Sequence, residues 1–146
     1  MRFMIIVPGG PETESASPGT EEQYADMQSY QEEMLRAGVH VDGQGLHPTS
    51  KGALVTWEND QWVVTDGPFA EAKEIIAGFS IIEVSSREEA IEWVKRWPRS
   101  AAPHPGQALE LRQIMSAEDF DALLSPELRR REEQLREAAA KQAAQG

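Results

Sequence analysis

The sequence predicts an α+β domain in which strands alternate with two amphipathic helices, and three observations predict it. A continuous apolar run, Phe3-Met4-Ile5-Ile6-Val7, opens the chain and fits a central strand buried on both faces. Two stretches, Thr20 to Gly38 and Ser85 to Pro98, set apolar residues at helical spacing between a polar N-cap and a helix-stopping residue. Strand-type runs lie between and after them, ending in Ala108–Ile114, where apolar and polar residues alternate as on a strand with one covered face.

In chain order, Phe3 to Val7 is the first strand and Pro8 to Pro11 its turn, while residues 11 to 19, rich in Pro, Ser and Gly, read as a loop. Thr20-x-x-Gln23 is a capping box that opens helix one. Its apolar stripe is Tyr24, Met27, Tyr30, Met34 and Leu35, and Gly38 is a natural C′ residue. Val39-His40-Val41 is a short strand; Asp42-Gly43-Gln44-Gly45 bends or bulges after it, and Leu46-His47-Pro48 continues it. Ala53–Trp57 and Gln61–Thr65 flank Glu58-Asn59-Asp60 and read as a hairpin with a loop of about three or four residues. Ile75-Ile76-Ala77 leads through Gly78 into the strand Phe79–Val84. Ser85 and Ser86, each with a Glu three residues on, cap helix two, which buries Ala90, Ile91, Val94 and Trp97 and stops at Pro98. With the hairpin set aside, the order is βαββαβ, the ferredoxin-like arrangement.

Composition changes at Ser116, so the expected organisation is a domain over residues 1–115 and a helical extension over 116–146. Ser116-x-x-Asp119 caps a short turn, and Ser125-Pro126 opens a last helix with Pro at its first position. Its Glu132–Arg136 and Glu137–Lys141 pairs each contribute roughly 0.2–0.5 kcal/mol. Leu128 and Leu135 are nearly all it has to bury, so the helix either frays or lies across a neighbouring subunit.

The net charge of −11 argues against a nucleic-acid partner, because phosphate backbones are held by clustered Lys and Arg. With no cysteine, disulfides, thiolate catalysis and Cys-based zinc sites are excluded. The first apolar run is too short for a signal peptide, and nothing approaches the roughly 18 apolar residues of a membrane span. The expectation is a soluble cytoplasmic protein with no membrane partner.

The most chemically loaded stretch is Val63 to Glu74, where a β-branched run ends in Asp66-Gly67-Pro68-Phe69 and charged residues follow. Asp66 is either a general base, if desolvation raises its pKa, or a turn cap accepting backbone N–H bonds. Phe69 is a structural plug or a platform for substrate. Lys73, between Glu71 and Glu74, holds an anion, acts as a base of lowered pKa, or sits in a solvated ion pair. Glu110 and Arg112 share one face of the last strand, either presenting a guanidinium to a carboxylate ligand or forming a surface salt bridge. His40 and Asp42 read as an i,i+2 pair on one strand face, with His47 further along, able to exchange a proton. Their spacing matches no dedicated metal motif, so neither a bound metal nor a cofactor is expected. His104, between two prolines, reads as solvent-facing, and Trp57, Trp62, Trp93 and Trp97 either line a pocket or pack the core.

Thr65-Asp66-Gly67-Pro68-Phe69-Ala70-Glu71-Ala72-Lys73-Glu74, with Gly78-Phe79 and Glu88-Glu89-Ala90-Ile91-Glu92-Trp93 after it, resembles the DGPF branch of the YCII-related (YciI-like) family. Gly38-Val39, Gly45-Leu46-x-Pro48 and Leu109-Glu110-Leu111-Arg112 fit too, so the resemblance covers about residues 1 to 115. It implies a ferredoxin-like domain that pairs into a dimeric α/β barrel; the residues themselves make the Asp66–Phe69 turn the expected lip of its pocket. Small YciI-like relatives imply a catalytic His on helix one and an Asp just after helix two. Here those places hold Tyr24, Asp26, Met27 and Tyr30, and then Arg96-Trp97-Pro98-Arg99, so that dyad is absent. The resemblance also implies small-molecule chemistry in some relatives and association with extracytoplasmic-function sigma factors in the DGPF branch. Two functions are therefore expected. One is a homodimeric enzyme or binder, with His40 and Asp66 moving protons and Lys73 or Arg112 holding a small anionic molecule. The alternative is a non-catalytic regulatory protein acting with a partner such as a sigma factor.

Overall fold

A computed structural model describes residues 1–15, 17–69 and 75–146. The chain forms two units, Met1–Ile114 and Met115–Gly146. The first contains strands β1 (Arg2–Pro8), β2 (His40–Gly45), β3 (Ala53–Glu58), β4 (Gln61–Asp66), β5 (Ile76–Glu83) and β6 (Glu110–Gln113). Its helices are α1 (Pro11–Glu14), α2 (Glu21–Arg36) and α3 (Arg87–Lys95). The protein is thus a mixed α/β structure with two antiparallel sheets, one of four strands in the order β2-β5-β1-β6 and one formed by β3 and β4.

The continuous apolar run makes β1 a central strand, paired with β5 on one side and β6 on the other. Alternation along these strands sorts side chains onto two faces. Phe3, Ile5 and Ile82 face α2 and α3, where they join Tyr30, Met34, Val39, Val84, Ala90 and Trp93 in the buried core. Met4, Ile6, Phe79 and Ile81 alternate with them and lie half-buried on the opposite face.

The helices start where their caps predict. Thr20 Oγ1 accepts from Gln23 N at 3.2 Å and Gln23 Oε1 accepts from Thr20 N at 3.0 Å, so both orphan donors are satisfied. Ser86 Oγ accepts from Glu89 N, and the Glu89 carboxylate accepts from Ser85 N at 2.9 Å. Gly38, at φ 70°, ends α2 in the left-handed conformation that suits glycine. Within the core Tyr30 donates to the Trp93 carbonyl at 2.8 Å and its ring meets Trp97 edge-on, joining α2 to α3. Desolvation pushes the Tyr30 phenol up to about 12; the Arg96 charge works against this and Glu33 adds to it.

Several local expectations are corrected. Pro11–Glu14 is a short helix and not a loop. Tyr24 and Leu35 are exposed, so the buried stripe of α2 is narrower than the sequence suggests, centred on Tyr30 and Met34. Gly43 and Gly45 lie inside β2, which ends before Leu46-His47-Pro48; the register shift falls earlier, between His40 and Asp42. The β3–β4 hairpin turns on two residues, Asn59 and Asp60, both at positive φ, because mirror-image turns match the twist of the strands and Asn and Asp tolerate that region. Trp57 and Trp62 meet edge-on, with centroids 5.0 Å apart and planes inclined by 65°, and are exposed, not core.

In the second unit, Ala117–Phe120 is a 3-10 turn with Asp119 accepting from Ser116 N, and α4 (Pro126–Gln145) is capped by Ser125. Arg136 meets Glu132 at 3.0 Å, but Leu128 and Leu135 are exposed and no residue of α4 is buried. No helix among the described residues is long and apolar enough to cross a membrane.

Met34 is fully buried, so Met34→Ala is expected to lower the unfolding free energy by about 2–5 kcal/mol in a denaturant titration. Tyr30→Phe leaves the Trp93 carbonyl without that donor and is expected to cost about 1 kcal/mol at neutral pH. Because the folded Tyr30 pKa lies above its ordinary value of 10, its proton stabilises the fold fully below pH 10, and that contribution is lost as pH rises toward 12. Melting curves across this window are expected to fall less steeply for Tyr30→Phe than for the parent.

Candidate functional site

Two clefts lie at the carboxyl end of β1. Pro8 cannot donate to the ladder, and the β1–β5 register shifts between Val7 and Pro8. The chain is then tied down by other means. Gly9 N donates to the Ile75 carbonyl at 2.7 Å, Gln107 Nε2 donates to the Gly9 carbonyl at 2.8 Å, and Thr13 Oγ1 accepts from Gly10 N at 2.9 Å. These bonds join the exit of β1, the entry to β5 and the loop before β6 into a collar.

A cleft opens on each side of the collar, and Pro8, Gly10 and Gln107 border both. The larger, about 690 Å³, is walled by Ile6, Ile75 and Ile76 with Glu110 at its edge; this is the size of a small-molecule site. Glu110 stands opposite Ile6 and Arg112 opposite Met4, so both belong to the face away from the helices, with Arg112 Nε 3.8 Å from Glu110 Oε1. The cleft therefore has an apolar body and a charged end. The smaller cleft, about 370 Å³, holds Glu12, Thr13, Gln23 and His104. His104 Nε2 lies 3.3 Å from Glu12 Oε2, a geometry in which a proton can pass between imidazole and carboxylate. The two residues are 92 positions apart, so no local spacing pairs them, although His104 is exposed as its Pro-flanked loop suggests.

The structure brings together only some of the residues singled out from sequence. Glu110 and Arg112 meet as expected. His40 and Asp42 do not share a face: the bulge at Val41 sets them opposite consecutive residues, Ile82 and Ile81, whose side chains point to opposite sides. Asp42 Oδ1 accepts from Gly43 N at 2.8 Å and from Gln44, a local turn-like role. His40 lies on the helix side beside Gly43, and its Nδ1 is buried without a partner among the described residues. His47 is exposed in a loop, and no group of metal-ligating side chains occurs among the described residues. Lys73 lies outside the described residues.

The Asp66–Phe69 turn serves the base of the hairpin, and Ala70–Glu74 beside it lie outside the described residues. Asp66 is exposed at the end of β4, opposite Ala53, and among the described residues its carboxylate accepts no hydrogen bond. A Cβ on Gly67 would fall 1.7 Å from the Thr49 carbonyl oxygen, so only glycine passes there. Phe69 N donates to Thr49 Oγ1 at 3.0 Å, and its ring lies against Gly52. Thr49 in turn donates through Oγ1 and N to the Glu14 carboxylate, at 2.5 and 3.0 Å. Those bonds, the hydroxyl first, hold the Glu14 carboxyl below its ordinary value. The depressed pKa gives a stabilisation present above about pH 4.5 and lost as pH falls through the lower folded value. Glu14→Gln is therefore expected to flatten the acid side of the melting profile below pH 4.5, measured by thermal scans from neutral pH downward.

The family model described as the YCII-related domain matches residues 1–118. An uncharacterized protein of Rhizobium meliloti (strain 1021) is 33% identical over 70 residues, which cover 48% of this chain and 56% of that protein. The chain thus spans little more than half the length of the curated relative it matches.

Proposed function

The chain belongs to the YCII-related family, and on that premise we propose that it is a cytoplasmic, homodimeric small-molecule-binding protein of the DGPF branch. Its ligand is held in the clefts at the end of β1. The observation that carries this reading is the uncovered sheet face, where Met4, Ile6, Phe79 and Ile81 form an apolar surface that the helices of the first unit leave alone. An antiparallel sheet can face water on one side, but that side is then polar. Here its two central strands are apolar, with Asp42, Gln44, Glu110 and Arg112 on the edge strands, and a second copy of the same face is the simplest complement. The order β2-β5-β1-β6 with α2 and α3 on one side supports a ferredoxin-like arrangement, and two such sheets laid face to face enclose the larger cleft as a dimeric barrel would. Glu110 and Arg112 then edge the enclosed space, which suits a small molecule with an apolar body and a carboxylate. His104 with Glu12, rather than His40 with Asp66, is the pair positioned for proton transfer.

A second reading, a regulatory protein that binds another protein, is favoured by α4, whose Leu128 and Leu135 are exposed on an otherwise polar helix. A sigma factor is the partner that the DGPF resemblance suggests.

Sedimentation at micromolar concentration is expected to give a dimer, and Ile81→Asp, which charges the open face, is expected to give monomers with intact helical content. A parent chain that stays monomeric would contradict the first reading. Thermal-shift screening with small carboxylates is expected to raise the melting temperature of the parent and to do so less for Arg112→Gln. Removing residues 116–146 is expected to leave that shift intact; the second reading instead requires the truncation to abolish partner capture.

A further inference from the structure

We infer that the β3–β4 hairpin of each protomer is an arm that lies on a second copy of this chain, so that Trp57 and Trp62 of one protomer help to cover the open-face cleft of the other. The inference rests on the homodimer just proposed and adds a part to its site. Cross-strand pairing puts Val55 opposite Val64 and Trp57 opposite Trp62, and alternation places all four on one face of the ribbon. Their exposures are 56%, 63%, 58% and 67%, so the apolar face is bare. The other face carries Leu54, Thr56, Val63, Thr65, Glu58 and Gln61 and is mixed. Every residue of β3 is exposed, as is every residue of β4 except half-buried Val63.

Two physical arguments identify the occupant. A two-stranded ribbon is at best marginally stable alone in water, so an apolar ribbon needs its cover whenever the protein is folded. A second copy is present in equal amount from synthesis onward, whereas a transient partner is not. A second apolar strip in the first unit, the half-buried Met4, Ile6, Phe79 and Ile81, lies away from α2 and α3, and the cleft of Ile6, Ile76 and Glu110 borders it. The area agrees as well. The four hairpin side chains leave on the order of 500 Å² exposed; two hairpins and the surface they cover amount to about 2,000 Å², the upper part of the range for a specific dimer. The base of the arm is firm enough to present it. Gly67 N donates to the Gly52 carbonyl at 3.0 Å, and Phe69 and Thr49 clamp the turn beneath.

The test is sedimentation of the full chain and of Trp57→Ser/Trp62→Ser, with acrylamide quenching of the parent tryptophans above and below the dissociation concentration. Both substitutions are on exposed side chains, and circular dichroism checks that α2 and α3 remain. The expected results are a dimer dissociation constant raised roughly a hundredfold or more in the double variant, and quenching that increases when the parent is diluted into monomers. A parent dimer whose tryptophans are equally quenched at both concentrations, or a double variant that dimerises like the parent, overturns the arm while leaving the homodimer reading standing. A monomeric parent overturns both.

Discussion

One imbalance governs the first unit: the two central strands of its four-stranded sheet, β1 and β5, are apolar on both faces, and α2 and α3 pack against only one. The imbalance begins in β1, where Phe3 and Ile5 are consumed by packing against α2 and α3 while Met4 and Ile6 turn the other way. β5 repeats the division, with Ile82 in the core and Phe79 and Ile81 opposite. Four large apolar side chains, half-buried on that face, favour a cover that completes their burial, since fully burying such a side chain is worth about 1.5–3 kcal/mol. The proposed assembly follows from that demand.

The clefts lie where the ladder gives way. Pro8 ends the β1 pairing, and the collar of Gly9, Thr13, Ile75 and Gln107 replaces ladder hydrogen bonds with longer-range ones. That substitution leaves space on both sides of the sheet at one end. It also draws Glu12 and His104 together across most of the chain. The Asp-Gly-Pro-Phe turn, for all its polar residues, works as a joint: Gly67 passes beneath the Thr49 carbonyl and Thr49 bridges Phe69 to Glu14.

What was legible in the sequence was local. The capping box at Thr20, the Ser86 cap, the Gly38 stop and the strand alternation each depend on residues a few positions apart, and each appears where its pattern places it. Features set by cross-strand geometry were not legible. The bulge at Val41 depends on how β2 meets β5, and it separates His40 from Asp42 although the i,i+2 rule joins them. The exposure of Trp57 and Trp62 was equally hidden, because aromatic residues in a strand pattern usually mean burial and nothing nearby in the sequence says that the ribbon stands clear. The candidate site combined both cases: Glu110 and Arg112 are two residues apart and were found, while Glu12 and His104 meet only through the fold.

The central claim is that the open sheet face is covered in solution. Methyl NMR with a paramagnetic cosolute measures it directly, because Met4 and Ile81 report that face, Met34 reports the core, and Met115, 59% exposed, reports contact with water. The account predicts that the Met4 and Ile81 methyl signals are shielded to nearly the extent of Met34. Broadening of both signals to the extent seen at Met115 would contradict it.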